Sequence, residues 1–108
     1  MNPQLPMDLF RTLGDATRRG LYERLSREGE LSVGALTERA GVSQPAVSQH
    51  LRALKNAGLV AEQKRGRQVL YRADAAGLRP LIDWVAFYGS FWVDRIDRLE
   101  QLLKEMDQ

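Results

Sequence analysis

The stretch Gly41–Val60, with the sequence GVSQPAVSQHLRALKNAGLV, decides the fold. Ser43 is a favoured helix cap, Pro45 suits a first turn because its missing N–H is not needed there, and Gly58 suits a helix end. These signals predict a helix at about residues 43–57. Its apolar positions recur at intervals of four and three, which directs one stripe into a core: Val47, Leu51 and Leu54.

The other faces of this helix carry short polar or small side chains near its start. A helix can enter a DNA major groove only if its leading turn is not crowded by bulky groups. The small front of this helix therefore predicts a surface that approaches base edges. An ordinary solvated surface is the alternative interpretation.

Three helices are predicted before this one. The first spans about Met7–Leu13 and stops at Gly14, a residue that tolerates the left-handed conformation found at helix ends. Asp15 caps the second helix, ATRRGLYERLSRE, and Ser32 caps the third, which runs to about Ala40. Because only AGVS separates the third helix from the fourth, the pair reads as a helix-turn-helix.

A basic hairpin and a long helix follow. Two β-prone runs flank Lys64-Arg65-Gly66-Arg67, which predicts a wing at residues 63–68. The last helix is expected over about residues 79–106, with Pro80 near its start. The predicted fold is all-α with a small β-hairpin wing, a winged helix-turn-helix of about five helices, forming a single domain over residues 1–108.

Charge is concentrated in the middle of the chain. The 108 residues carry a net charge of +2, but residues 43–73 hold six basic side chains against one acidic. Such a patch suits a polyanion, and a solvated charged face is the alternative. The chain has no cysteine, no secretory signal at its start and no apolar run of the roughly 18 residues that cross a bilayer, so we expect a cytoplasmic protein without a membrane partner.

Three segments resemble the ArsR/SmtB family of bacterial winged helix-turn-helix repressors: LGDATRRGLYERL, LSVGALTERAGVSQPAVSQHLRALKNAGLV and RGRQVLYR. The resemblance is close from about Leu9 to Arg72. It implies a homodimer joined by its first and last helices, bound to a pseudo-palindromic double-stranded DNA operator and blocking transcription.

The predicted DNA contacts lie on the fourth helix and the wing. Gln49 can offer a paired donor and acceptor to adenine, and Arg52 can fork onto guanine or a phosphate. His50 flanks the buried stripe, so a packing role is the alternative to a DNA contact. The full predicted set is Ser43, Gln44, Pro45, Ala46, Ser48, Gln49, His50, Arg52, Lys64, Arg65 and Arg67.

The predicted dimer interface centres on the last helix. Five of the chain's eight aromatic residues fall between Trp84 and Trp92, more than one small domain can bury alone. A pocket for an unknown apolar small-molecule effector is a compatible alternative. The predicted interface residues are Leu9, Leu81, Trp84, Val85, Tyr88, Phe91, Trp92, Ile96, Leu99 and Leu103.

Metal and enzyme chemistry find little support. Where metal-sensing members of the family carry cysteines in the third helix, this chain has Ser32 and Gly34, and its last helix has no histidine. We expect no metal site and no cofactor. A metal-responsive repressor using Asp83, Asp94 and Asp97 remains an alternative, as does a winged-helix protein-interaction module. No catalytic motif is present, so we do not expect an enzyme.

Overall fold

A computed structural model describes residues 2–107. Residues 7–79 form one compact unit, and the segment before Met7 forms a second with the residues from Pro80 onwards. Five helices are present, as predicted: α1 Met7–Gly14, α2 Ala16–Glu28, α3 Val33–Glu38, α4 Gln44–Asn56 and α5 Arg79–Met106. The strands are β1 Leu31–Ser32, β2 Val60–Arg65 and β3 Gln68–Ala73. A 3₁₀ helix, Ala75–Leu78, precedes α5. That the whole chain acts as one domain stays a prediction.

The core of the first unit is built from side chains at helical spacing. Each of α1 to α4 contributes leucine or valine. The chain after α4 adds Leu59 and Val60, and β3 adds Tyr71. Removing this apolar surface from water is the main stabilising term of the unit. The buried hydrophobic residues are Leu9, Leu21, Leu25, Leu36, Val47, Leu51, Leu54, Leu59, Val60 and Tyr71.

The three predicted helix caps are confirmed. Asp15 accepts a hydrogen bond from the backbone N–H of Arg18, and the hydroxyls of Ser32 and Ser43 accept from the third residue after them. Two predicted helix ends were wrong. Gly14 belongs to α1 and does not have a positive φ, and α3 ends at Glu38, before Ala40.

The wing is part of a three-stranded antiparallel sheet in the order β1-β3-β2. In the hairpin, Arg65 pairs with Gln68, which leaves Gly66 and Arg67 as the turn. Gly66 has a φ of 60°, and a positive φ at the first turn residue alone is typical of a tight hairpin turn that favours glycine. The sequence predicted the hairpin but read β1 only as an extended link. Leu31 pairs with Tyr71, which joins the wing to the start of α3.

The 3₁₀ helix packs closely on the end of α4. A Cβ on Gly77 would overlap the carbonyl oxygen of Gly58, so only glycine allows this approach. Asp74 caps the turn by accepting from the N–H of Ala76. This contact fixes where the chain leaves the wing.

The long helix α5 has none of its described side chains buried. The sequence predicted its bounds correctly. A helix with this much exposed apolar surface is typical of an interaction surface rather than of a solvated helix. No helix among residues 2–107 combines the length and hydropathy needed to cross a membrane. The exposed large hydrophobic residues of α5 are Ile82, Val85, Phe87, Phe91, Trp92, Val93, Ile96, Leu99, Leu102, Leu103 and Met106.

Candidate nucleic-acid interface

The first half of α4 presents small polar groups on one face and a fully buried stripe on the other. Val47 and Leu51 are 0% exposed, which holds the helix against the core. On the opposite side, Ser43, Gln44, Pro45, Gln49 and Arg52 are exposed, while Ala46, Ser48 and His50 are half-buried. No lysine or arginine precedes Arg52 along α4, and small residues lie between its glutamines, so the leading turns leave room for a large ligand.

A groove of about 380 Å³ lies between the start of α4 and the wing. It brings Gln44 and Ser48 of α4 together with Arg67 of the hairpin turn, three residues that the sequence placed in one site. The groove is also lined by residues that sequence reasoning missed: Ser32, Val33, Gly34, Gln68 and Val69. Only the pairing of β1 with β3 brings the start of α3 to the wing, and that pairing had no signal in the sequence.

His50 is held by α2. The Nε of Arg18 donates to the Nδ1 of His50 at 3.2 Å, and an Asp15 carboxylate oxygen lies 4.0 Å from the same nitrogen. An imidazole nitrogen that accepts a hydrogen bond carries no proton, so the Nε2 atom is the donor. The side chain of His50 is 22% exposed. It therefore links α4 to α2, and only its other nitrogen is open to a further contact.

Asp15 combines two roles in this small network. Its carboxylate caps α2, and the hydrogen bond from the backbone N–H of Arg18 lowers the pKa of Asp15. Burial acts in the opposite direction, and the positive charge of Arg18 contributes further lowering. The network keeps a negative charge at the start of α2, where the helix dipole favours it.

The wing cations differ in their surroundings. A guanidinium nitrogen of Arg65 lies 3.2 Å from a carboxylate oxygen of Glu30, the residue before β1. Within residues 2–107, Arg67 has no hydrogen-bond or ion-pair partner, and Lys64 contributes only a weak electrostatic attraction to Glu62. Arg67 and Lys64 thus have donors open for a ligand, and Arg65 must share or give up Glu30 to bind a phosphate.

Glu62 joins the base of the wing to the end of α4. The hydroxyl of Tyr71 donates to Glu62 at 2.7 Å, and the ammonium of Lys55 lies 3.6 Å from the second carboxylate oxygen. The Tyr71 hydrogen bond lowers the pKa of Glu62, while burial and Glu62 together raise the pKa of Tyr71 to about 12. Lys55 is therefore committed to a structural ion pair.

Helix α5 carries most of the predicted dimer residues. Its aromatic side chains contact one another along the helix: the ring centroids of Trp84 and Tyr88 are 5.0 Å apart, and those of Phe91 and Trp92 are 5.4 Å apart. The Arg95 guanidinium lies 4.3 Å from the centroid of Phe91. Leu81, Trp84 and Tyr88 are half-buried, and the exposed predicted residues are Val85, Phe91, Trp92, Ile96, Leu99 and Leu103.

Leu9 stands apart from the other predicted interface residues. It is 5% exposed because it packs into the core of the first unit, so little of its surface is left for a partner. The exposed apolar residues of α1 are Met7 and Phe10, at 53% and 39%. Met7 and Phe10 therefore supply the accessible apolar surface of α1, while the role of Leu9 in a dimer interface stays a prediction.

The three aspartates proposed as an alternative metal site all lie on α5. Within residues 2–107 of one chain, no three histidine, cysteine, aspartate or glutamate side chains come close enough to hold a metal ion. A site built from Asp83, Asp94 and Asp97 would need residues from a second chain.

Comparison with known proteins adds independent information. A family model for a helix-turn-helix domain matches residues 13–63. The HTH-type transcriptional regulator Rv2034 of Mycobacterium tuberculosis is 45% identical over 76 residues, which are 70% of each chain. The arsenical resistance operon repressor of Escherichia coli is 44% identical over 63% of this chain and 58% of that protein. The transcriptional repressor SmtB of Mycobacterium tuberculosis is 41% identical over 77% of this chain and 62% of that protein.

Solved structures show the same architecture. A possible transcriptional regulator for arsenical resistance is 40% identical, covers 87% of this chain and 94% of its own, and superposes with a TM-score of 0.66. An ArsR-like transcriptional regulator from Rhodococcus is 32% identical over 90% and 91%, with a TM-score of 0.70. The homodimeric winged helix-turn-helix DNA-binding domain Mb0332 of Mycobacterium bovis is 25% identical over 78% and 77%, with a TM-score of 0.62.

Proposed function

This chain belongs to the ArsR/SmtB family of winged helix-turn-helix transcriptional regulators, and we propose that it is a homodimeric repressor that binds a pseudo-palindromic DNA operator. The observation that carries the proposal is the groove in which Gln44 and Ser48 of α4 meet Arg67 of the wing. In this groove the start of α4, which is slim enough to enter a DNA major groove, lies beside Arg67, whose guanidinium suits a phosphate of the DNA backbone.

Base recognition falls to α4. Gln49 and Arg52 are exposed on the face opposite the buried stripe, and their side chains have the donor and acceptor patterns that read adenine and guanine. Ser43 and the first N–H groups of α4 suit a phosphate, because a helix start favours negative charge. Pro45, Ala46 and Ser48 keep the approach uncrowded.

Backbone contacts fall to the wing. Arg67 is open, Lys64 is exposed, and Arg65 reaches a phosphate only by sharing its ion pair with Glu30. These contacts carry no base information, but they position the protein and give binding its salt dependence. His50 contributes its Nε2 atom at most, because its Nδ1 is already occupied by Arg18.

The second copy is held through α5. The exposed apolar residues of this helix need a partner surface, and a symmetric dimer is the commonest solution. The M. bovis domain described above is a homodimer, which supports the same assembly here. In such a dimer the two α4 helices enter successive major grooves, about 34–36 Å apart. An inducer would act by changing the angle between the protomers.

A winged-helix protein-interaction module is the competing function, and salt-dependent binding of duplex DNA separates the two. The experiment titrates a labelled random-sequence duplex with wild-type protein, with R52Q/R67Q and with R11Q/R27Q, which removes the same charge from α1 and α2. We expect wild type and R11Q/R27Q to bind alike, and R52Q/R67Q to bind more weakly with a salt slope lower by about 0.9 per lost phosphate contact. Absence of binding by the wild type in dilute buffer would contradict the proposal.

A further inference from the structure

A cavity of about 320 Å³ opens between α2 and the end of α3. Ala16, Gly20 and Leu21 form its α2 side, Ala40 lies across from them, and Arg24 and Arg39 stand at its rim. This volume is at the lower end of the range that holds a small organic ligand. None of these residues belongs to the predicted set of DNA contacts or to the predicted dimer interface.

Gly20 keeps the cavity open. It lies in the middle of α2, where glycine is less favourable for a helix than alanine. A Cβ at this position would meet no atom within 4 Å, so no packing contact requires glycine here. Because Gly20 lines the cavity, we expect a larger side chain at this position to occupy part of it. The residue therefore preserves empty space at a cost to the helix.

The rim of the cavity is positive. The Nε of Arg24 donates to one Glu28 oxygen at 3.0 Å, and an Nη of Arg39 donates to the other at 3.1 Å. These hydrogen bonds lower the pKa of Glu28, so the carboxylate stays charged, yet two guanidinium groups face one carboxylate. The net charge of +1 favours an anion.

Arg24 and Arg39 differ in how many of their donors are available to bind an anion. Arg24 also donates to the carbonyl oxygens of Ala35 and Leu36, which ties it to α3, and its side chain is only 21% exposed. Arg39 is 68% exposed and engages a single partner, Glu28. Arg39 therefore has donors left for a carboxylate, whose two oxygens match the fork of a guanidinium.

We propose that this cavity binds a small organic carboxylate with a flat apolar body, and that binding changes DNA affinity. The apolar part lies over Gly20 and Leu21, and the carboxylate pairs with Arg39. Arg39 and Ala40 lead through a two-residue turn into Ser43, the cap of α4, so a ligand held by Arg39 acts on the link between the two helices of the helix-turn-helix. The DNA part of this proposal rests on the proposed function.

The test uses benzoate as the probe and the neutral benzamide as its matched control. Backbone amide NMR signals of the free protein are followed during each titration. We expect benzoate to shift the signals of Gly20, Leu21 and Ala40 with a Kd on the order of 1 mM, as is usual for so small a ligand. Benzamide should bind at least tenfold more weakly.

Variants then locate the site. G20L fills the cavity and should abolish the shifts while leaving the fold intact, since the position has open space and leucine is the better helix former. R39Q should weaken benzoate binding at least fivefold. R27Q, which removes an equal charge from α2 outside the cavity, should leave it unchanged. Equal benzoate binding by wild type and G20L would overturn the proposal.

The coupling has a separate readout. Saturating benzoate should change the Kd of wild type for duplex DNA at least threefold and leave that of G20L unchanged. Because the NMR titration contains no DNA, failure of DNA binding would sink the proposed function without touching the ligand site. Binding of benzoate with an unchanged Kd for DNA would overturn the regulatory part.

Discussion

A carboxylate oxygen of Glu30 lies 3.2 Å from a guanidinium nitrogen of Arg65, so one of the three wing cations is already paired with the acidic residue that precedes β1. The side chain of Glu30 is 25% exposed and that of Arg65 is 61% exposed. A partly exposed ion pair of this kind stabilises by about 1 kcal/mol or less. The pair therefore restrains the wing and competes with a DNA phosphate for the same cation.

Replacing Glu30 by glutamine should strengthen DNA binding. E30Q removes the competing carboxylate, so Arg65 becomes open to phosphate, and the affinity for any duplex should rise up to about fivefold, the equivalent of about 1 kcal/mol. The salt slope should steepen by about 0.9 if one phosphate contact is gained. Anisotropy titrations at several salt concentrations measure both quantities. E23Q, which removes an exposed acidic side chain of α2, is the control. An equal gain in DNA affinity in E23Q would show that the effect comes from the net charge and not from the release of Arg65.

Replacing Gln49 by alanine should relax base preference. Loss of a paired contact to a base costs about 1–3 kcal/mol on the preferred half-site and much less on unrelated sequences. Competition with a panel of single-base half-site variants measures the difference. R67Q is the contrasting variant, because a lost phosphate contact weakens all sequences alike. A uniform loss in Q49A would assign Gln49 to backbone contact instead.

Replacing Trp92 by glutamate should break the dimer. Trp92 is 57% exposed on the apolar face of α5, and a buried aromatic at an interface centre contributes about 2 kcal/mol or more. Sedimentation equilibrium should show a monomer, and operator affinity should fall with it, while circular dichroism stays that of a folded helical protein. Q101E places the same charge on the polar side of α5. A dimeric W92E, or a monomeric Q101E, would contradict the predicted interface.

Stability should fall at alkaline pH because of Tyr71. The folded state raises the pKa of this phenol from 10.0 to about 12, so between these values the unfolded chain loses the proton and the folded chain keeps it. The free energy of unfolding should then decrease by on the order of 1–2 kcal/mol as pH rises from 10 to 12. Urea unfolding across this range measures the decrease. The decrease should be much smaller in Y71F and unchanged in Y22F. If Y71F showed the same decrease as wild type, a group other than Tyr71 would be responsible.

The helices were predictable because their signals are local. Asp15, Ser32 and Ser43 each cap a helix by accepting a hydrogen bond from the backbone N–H three residues later. The spacing of apolar residues in α4 and α5 indicates which face of each helix is apolar. The end of α3 at Glu38 was missed because Arg39 and Ala40 have ordinary helix propensity, and the turn toward Ser43 decides where the helix ends. Leu9 is buried in the unit of residues 7–79, and its place in a dimer interface stays a prediction.

The charged contacts of the candidate interface were not predictable. Arg18 and His50 are 32 positions apart in sequence, and only the packing of α2 on α4 brings them within hydrogen-bond distance. Glu30 and Arg65 meet only because β1 joins the sheet. Composition identified these residues as ionisable, but their partners depend on tertiary structure. The predicted DNA and dimer residues therefore remain predictions on a confirmed fold.

Selection of bound duplexes from a random pool tests the central claim most directly, since it returns half-site sequence, symmetry and spacing together. If two copies joined through α5 present paired α4 helices, the enriched duplexes contain two inverted half-sites whose centres lie about 10–10.5 base pairs apart, or a multiple of that spacing. Enrichment of single, unrepeated sites, or no enrichment at low salt, would contradict the account.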